Sequence, residues 1–194
     1  MDVFAFVAST GGPPALARVL GDLPGDLPIP LLVAQHLAPG FVAGLVRWLG
    51  SVSKLGVLVA SDGERPRPGN VYLPPDRCDL ELERSGLLRT PASSRLHCPS
   101  GNLLLSSLAG SYGNRAGGMV MTGMGDDGAD GLLALRNAGG ATFAQDEESS
   151  LVFAMPQAAQ SRGAARTVLS PESVAPALLA LCGSRQARKT NTQD

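Results

Sequence analysis

The run Val3-Phe4-Ala5-Phe6-Val7-Ala8, broken at Ser9-Thr10-Gly11-Gly12-Pro13-Pro14 and followed by the helix-compatible Ala15–Leu20, carries the reading of the fold. Six apolar residues without alternation describe a strand buried on both faces, as in a parallel sheet covered by helices. The same strand–breaker–helix unit returns along the chain. Leu31–Gln35 is a second buried strand, followed by His36, a Pro39-Gly40 turn and a helix expected over Phe41–Leu49 with Gly50 as C-cap. Gly117–Met121 is a third, leading through Thr122–Gly128 into a helix over Ala129–Ala138 that Gly139-Gly140 stops.

Around these units lie shorter ones. Val57–Ala60, Val71–Leu73, Ala141–Gln145 and Thr167–Leu169 read as strands, and Asn102–Ala109 and Pro156–Ser161 as helices. Asp79–Arg84 and Leu87–Thr90 flank a Ser85-Gly86 turn, which predicts a small antiparallel hairpin. Ser170-Pro171 supplies an N-cap and first-turn pair for a last helix to about Cys182. Alternating strands and helices imply right-handed crossovers and an α/β fold: a doubly wound, mainly parallel β-sheet with helices on both faces. One domain over residues 1–183 is expected, followed by a disordered polar tail at 184–194.

Composition narrows the function. Of 194 residues, 44% are hydrophobic and 17% charged, with a net charge of −1, so neither general disorder nor a nucleic-acid-binding basic face is expected. Cys78, Cys98 and Cys182 show no C-x-x-C spacing, which argues against a disulfide framework or structural zinc and for a reducing compartment. The N-terminus carries Asp2 where a signal peptide would carry positive charge, and no apolar stretch approaches the ~20 residues of a membrane span. A cytoplasmic protein without membrane insertion is the expectation. The 24 glycines and 15 prolines punctuate short apolar runs and so mark loops.

In a doubly wound sheet, ligands sit beyond the carboxyl ends of the strands. The three polar, glycine-rich junctions, Ser9–Gly12, Gln35–Gly40 and Thr122–Gly128, all fall there. Ser9 is either a turn serine or a nucleophile on a tight strand-to-helix turn, the G-x-S-x-G pattern being half matched. His36 is either a hydrogen-bonded structural residue or a general base, for which imidazole needs no pKa tuning. Of Asp126 and Asp127, one could cap the following helix, while an ionised acid is what a histidine base needs. Gly123-x-Gly125-x-x-Gly128 also satisfies the dinucleotide fingerprint, with Asp146 about 20 residues on; two acids inside a pyrophosphate loop speak against it. A phosphate-binding G-K-[ST] loop is excluded, since neither Lys54 nor Lys189 lies in one.

Taken together, Ala8-Ser9-Thr10-Gly11-Gly12-Pro13, Gln35-His36-x-x-Pro39-Gly40-Phe41 and Thr122-Gly123-Met124-Gly125-x-Asp127-Gly128-Ala129 resemble the catalytic domain of the chemotaxis methylesterase family, CheB. Pro68-Gly69-x-Val71-Tyr72, Ala144-Gln145-Asp146-Glu147 and Met155-Pro156 extend the match from about Val3 to Leu181. The resemblance implies a serine hydrolase that demethylates glutamate methyl esters on chemoreceptor-type proteins, with glutamine deamidation by the same acyl chemistry. It assigns Ser9 as nucleophile, His36 as base and Asp127 as orienting acid. It assigns the backbone N–H groups of Thr10 and Met124 to the oxyanion hole, and His97 to the substrate side. It implies no metal or organic cofactor, and as partners methylated receptors together with a separate regulatory or kinase protein.

The chain departs from the family pattern at His97-Cys98-Pro99-Ser100-Gly101-Asn102, where H-R-P-S-V-D is usual: Cys98 replaces the arginine and Asn102 the aspartate. The loss of that arginine bears on substrate docking, and Cys98 reads as a structural thiol before a redox one. No segment like the family's N-terminal phosphorylatable receiver domain precedes Ser9, so the expectation is a free-standing member or an isolated catalytic domain. A weakly catalytic, methylesterase-like interaction module in a chemosensory pathway is the alternative.

Overall fold

The computed structural model describes residues 1–95 and 97–190. In chain order the elements are β1 (Val3–Ala8), α1 (Gly12–Asp22), β2 (Leu31–Gln35), α2 (Val42–Val52), β3 (Gly56–Val59) and β4 (Asn70–Leu73). They continue with β5 (Glu81–Leu82), β6 (Leu88–Arg89), α3 (Gly101–Ser111), β7 (Ala116–Val120), α4 (Ala129–Asn137), β8 (Ala141–Gln145), α5 (Ala154–Ser161), β9 (Thr167–Leu169) and α6 (Pro171–Thr190). Seven strands form one sheet in the order β3-β4-β2-β1-β7-β8-β9. All of its pairings are parallel. The strand β1 is its midpoint: the chain winds outward through β2 on one side and through β7 on the other, which makes β2-β1-β7 the switch point.

Burial on both faces explains the unbroken apolar runs. Phe4, Phe6 and Ala8 of β1 pack with Leu16 and Leu20 of α1, Leu49 of α2 and Leu178 of α6. Val3, Ala5 and Val7 pack on the other face with Leu104 and Leu105 of α3, Leu132 of α4 and Met155 of α5. Each such leucine, fully buried, contributes about 1.5–3 kcal/mol of transfer free energy. The second face is drawn in tightly, because a Cβ at Gly101 would stand 2.1 Å from Val7 Cγ1 and one at Gly131 would stand 2.6 Å from the Asn102 carbonyl oxygen.

Three expectations are corrected. Helix α2 does not stop at Gly50 but runs on to Val52, and the chain turns extended at Ser53, whose Oγ donates to Leu20 O. A Cβ at Gly50 would meet nothing closer than Val57 Cβ at 3.9 Å, so nothing about the space there demands a glycine or a helix end. The hairpin shortens to β5 and β6, with one further bridge between Cys78 and Ala92, because Asp79 is withdrawn into the core. Helix α6 continues beyond Cys182 to Thr190, through the helix formers Gln186, Ala187, Arg188 and Lys189. The remainder of the expected tail, residues 191–194, lies outside the described residues.

Candidate active site

Strand register brings the three junctions to one level. Ala8 pairs with Gln35 and Val7 with Val120, so Ser9 follows directly beside His36 on one side and Thr122 on the other. The backbone continues the ladder there: His36 N–H donates to Ala8 O and Ser9 N–H to Thr122 O, each at 3.0 Å. Gln35 Nε2 donates to Ser9 O (2.9 Å) and to His36 O (3.0 Å), tying the first junction to the second. Thr122 Oγ1 donates to Thr10 O (2.9 Å) and ties the first to the third, while Thr122 N–H donates to Gln145 Oε1 (2.9 Å). Gln35, Thr122 and Gln145 are buried. The sequence assigns no role to any of them; their signal is a polar side chain at or just past the end of a buried strand. Gly123 seals the arrangement, since a Cβ there would lie 2.7 Å from Ser9 Cβ.

His36 and Asp127 meet directly, with Nε2 2.8 Å from Oδ2, and their side chains are largely shielded. Asp127 Oδ2 also accepts from Gly101 N–H (2.6 Å), and Oδ1 from Asn102 N–H (3.0 Å) and Ser100 Oγ (3.4 Å). Burial pushes its pKa up, but the hydrogen bonds from the imidazole and the two amides, with the attraction of His36, outweigh it and hold the carboxyl below the usual range. With Nε2 turned to the acid, His36 Nδ1 is buried and has no partner among the described residues. The His97 ring stacks on His36, centroids 5.4 Å apart at 25°. Asp126 turns the opposite way, into an exposed ion pair with Arg162 at 2.6 Å.

Neither acid caps α4, which corrects that expectation. Gly128 is the N-cap, in the left-handed region at φ +93°, and the side chain serving the helix start belongs to Asn102. Its Oδ1 accepts from Gly128 N–H (3.1 Å) and Gly131 N–H (2.8 Å). The dinucleotide reading fails at this point: donors that a pyrophosphate would require at the α4 start are already bonded, and Asp127 faces His36.

Thr10 is exposed and Met124 strongly so, at 74%. Among the described residues nothing accepts from the backbone N–H of either. No hydrogen bond joins Ser9 Oγ to His36 among the described residues. A cleft of about 400 Å³ opens beside the histidine pair, lined by Arg95, His97, Ser100, Asn102, Leu103 and the two acids. Arg95 thus supplies a basic side chain where Cys98 does not, held at 2.8 Å by the buried Asp79. The Cys98 thiol donates to Cys78 O, and burial raises its pKa, which disfavours the reactive thiolate. No group of three or more His, Cys, Asp or Glu side chains among the described residues could hold a metal ion. No described helix is long and apolar enough to cross a membrane.

Comparison with known proteins gives a consistent set of relatives. The family model described as CheB methylesterase matches residues 4–178. A protein of Myxococcus xanthus named protein-glutamate methylesterase/protein-glutamine glutaminase 3 is 58% identical over 159 residues, 82% of this chain and 45% of its own length. One of Rhizobium meliloti, of the group 3 operon and with the same activities in its name, is 41% identical over 98% of this chain and 54% of its own. The chain therefore spans about half the length of these curated relatives. The crystal structure of the Thermotoga maritima CheB methylesterase catalytic domain superposes with a TM-score of 0.88 at 33% identity, over 93% of this chain and 98% of that one.

Proposed function

The chain belongs to the CheB methylesterase family, and from that premise we propose that it is a protein-glutamate methylesterase acting through Ser9, His36 and Asp127. The observation that carries the reading is the shielded His36–Asp127 pair at the switch point, whose remaining ring nitrogen, Nδ1, is buried and without a partner among the described residues, beside the strand that leads into Ser9. An Nε2–H donating to an ionised Asp127 fixes the tautomer and leaves the Nδ1 lone pair as the base.

In the reaction, Ser9 Oγ attacks the ester carbonyl of a glutamate methyl ester while Nδ1 takes its proton. The oxyanion forms toward the N–H groups of Thr10 and Met124, which have no acceptor among the described residues. Imidazolium returns the proton to the departing methanol, and water then repeats the cycle on the acyl-enzyme. Glutamine would react in the same way with ammonia leaving, the second activity in the relatives' names. Asp127 stabilises the imidazolium, and its depressed pKa keeps it ionised for that task. His97, stacked on His36, and Arg95 line the cleft on the substrate side.

The substrates on this reading are methylated chemoreceptor-type proteins, with a separate regulatory or kinase protein as second partner, and a cytoplasmic location goes with it. A weakly catalytic interaction module, the alternative reading, would place little demand on a shielded acid–histidine pair. Methanol release from a methylated receptor fragment tests the proposal: Ser9→Ala should reduce the rate by about 10³-fold or more without moving the Tm. Equal release from both chains would overturn it.

A further inference from the structure

Resting on that reading of His36 and Asp127, a further assignment concerns Asn102. Helices α3 and α4 start side by side, and beyond α3's own cap, Ser100, each start receives a side chain from the segment that begins the other. Asp127, one residue before the α4 N-cap, accepts from Gly101 N–H and Asn102 N–H in the first turn of α3. Asn102, in that same turn, accepts through Oδ1 from Gly128 N–H and Gly131 N–H of α4. The ring of bonds closes on Asp127: its carboxylate is held by the Asn102 backbone, and its own backbone leads straight into the amide that the Asn102 side chain holds. A carboxylate whose anchors all sit on one helix could drift with that helix, whereas here the two helices are pinned to each other through it.

We propose that Asn102 is a positioning residue that locks the Asp127 carboxylate against His36 by bridging the starts of α3 and α4. An aspartate, the residue usual at this place in the family pattern, could accept the same two N–H bonds while adding a second negative charge beside Asp127. The remaining charged groups around Asp127 leave that charge unopposed. His36 is already its partner and His97 stacks on His36. Arg95, across the cleft, is paired with Asp79, which in turn accepts from Ser100 N–H. Asp126 and Asp130 share Arg162 of the α5 end. The first turn of α3 carries no acid.

Two substitutions separate the roles, assayed by methanol release from a methylated receptor fragment well below each variant's Tm. Asn102→Ala removes the bridge and should lower kcat by roughly tenfold to a hundredfold with KM little changed, as expected when a reacting group is misplaced. Asn102→Asp should restore most of the kcat at high pH, with the acid limb of its pH profile displaced upward by about one unit, because added negative charge favours the protonated forms of both Asp127 and His36. A substrate-free readout accompanies the kinetics: the His36 Nε2–H proton resonance should be present in the parent chain and in Asn102→Asp and lost in Asn102→Ala. Parental kcat and an intact resonance in Asn102→Ala would overturn the bridge, and so would an Asn102→Asp chain that restores neither the kcat nor the resonance. If Ser9→Ala hydrolyses as fast as the parent, the hydrolytic reading fails, and the resonance still decides the bridge.

Discussion

Helix α1 and the pair α3/α4 all begin at the carboxyl edge of the sheet, yet they close their first turns in opposite ways. Helix α1 has no side-chain cap. Its N-cap is Gly11 at φ +80°, and prolines at 13 and 14 remove two of the N–H groups that a cap would have to satisfy. Helix α3 has its own N-cap in Ser100, and the two helices also exchange side chains, Asp127 accepting from the first turn of α3 and Asn102 from the start of α4. The difference follows what stands next to each start. Beside Ser9 the Thr10 N–H has no acceptor among the described residues, as the proposed oxyanion hole requires, while Gly12 N–H donates back to Ser9 O at 2.8 Å. Around Asp127 the donors are spent, which fixes a carboxylate and keeps it ionised.

The largest test of that contrast is Asp127→Asn, which turns donors toward donors in the crossed caps and removes the partner of His36. Its kcat should fall by roughly 10³–10⁴-fold in the methanol-release assay. Its effect on stability depends on pH with a definite sign. Because the folded pKa of Asp127 is depressed, the carboxylate stabilises the fold above the ordinary aspartate value near 3.9, and that contribution is lost as pH falls toward the lower folded value. The Tm gap between the parent and Asp127→Asn, followed from pH 7 to pH 3, should therefore narrow as the solution becomes acidic. A constant gap would mean that the carboxylate is held by shape alone.

On the open side, Gly123→Ala brings a Cβ to 2.7 Å from Ser9 Cβ and against the Met155 thioether. The methionine tail can move but Ser9 cannot, so about 1–3 kcal/mol of stability should be lost, with a fall in kcat of about tenfold. Denaturant unfolding and single-substrate kinetics on the same preparation measure both. The smallest effect belongs to Asp126→Asn. Its carboxylate lies in an exposed pair with Arg162, worth no more than about 1 kcal/mol, and kcat should stay in the parental range, against the collapse in Asp127→Asn. A large loss of kcat in Asp126→Asn would reverse the assignment of the two acids.

Much of this was legible in the order of residues. The strand runs, the three breakers and the pairing of a serine, a histidine and an acid at strand ends all follow from local composition, since a doubly covered parallel strand leaves no room for alternation. The preference for Asp127 over Asp126 came from family resemblance, and the geometry offers a physical reason for it: one acid faces the imidazole, the other solvent and Arg162. The end of α2 was misread because a glycine stops a helix only where the backbone turns left-handed, and Gly50 has no such turn forced on it. The capping of α4 was misread because cap rules look a few residues along the chain. The side chain that serves the α4 start, Asn102, precedes the N-cap Gly128 by 26 positions.

The sequence by itself determined the α/β class, the edge on which the site lies and the chemical types gathered there, because burial and turn formation act within a few residues. The tertiary structure alone decided which nitrogen of His36 faces the acid, which helix starts hold Asp127, and that Arg95 rather than residue 98 lines the cleft. Those choices depend on hydrogen bonds between segments far apart in the chain, made only when the sheet register sets the three junctions side by side.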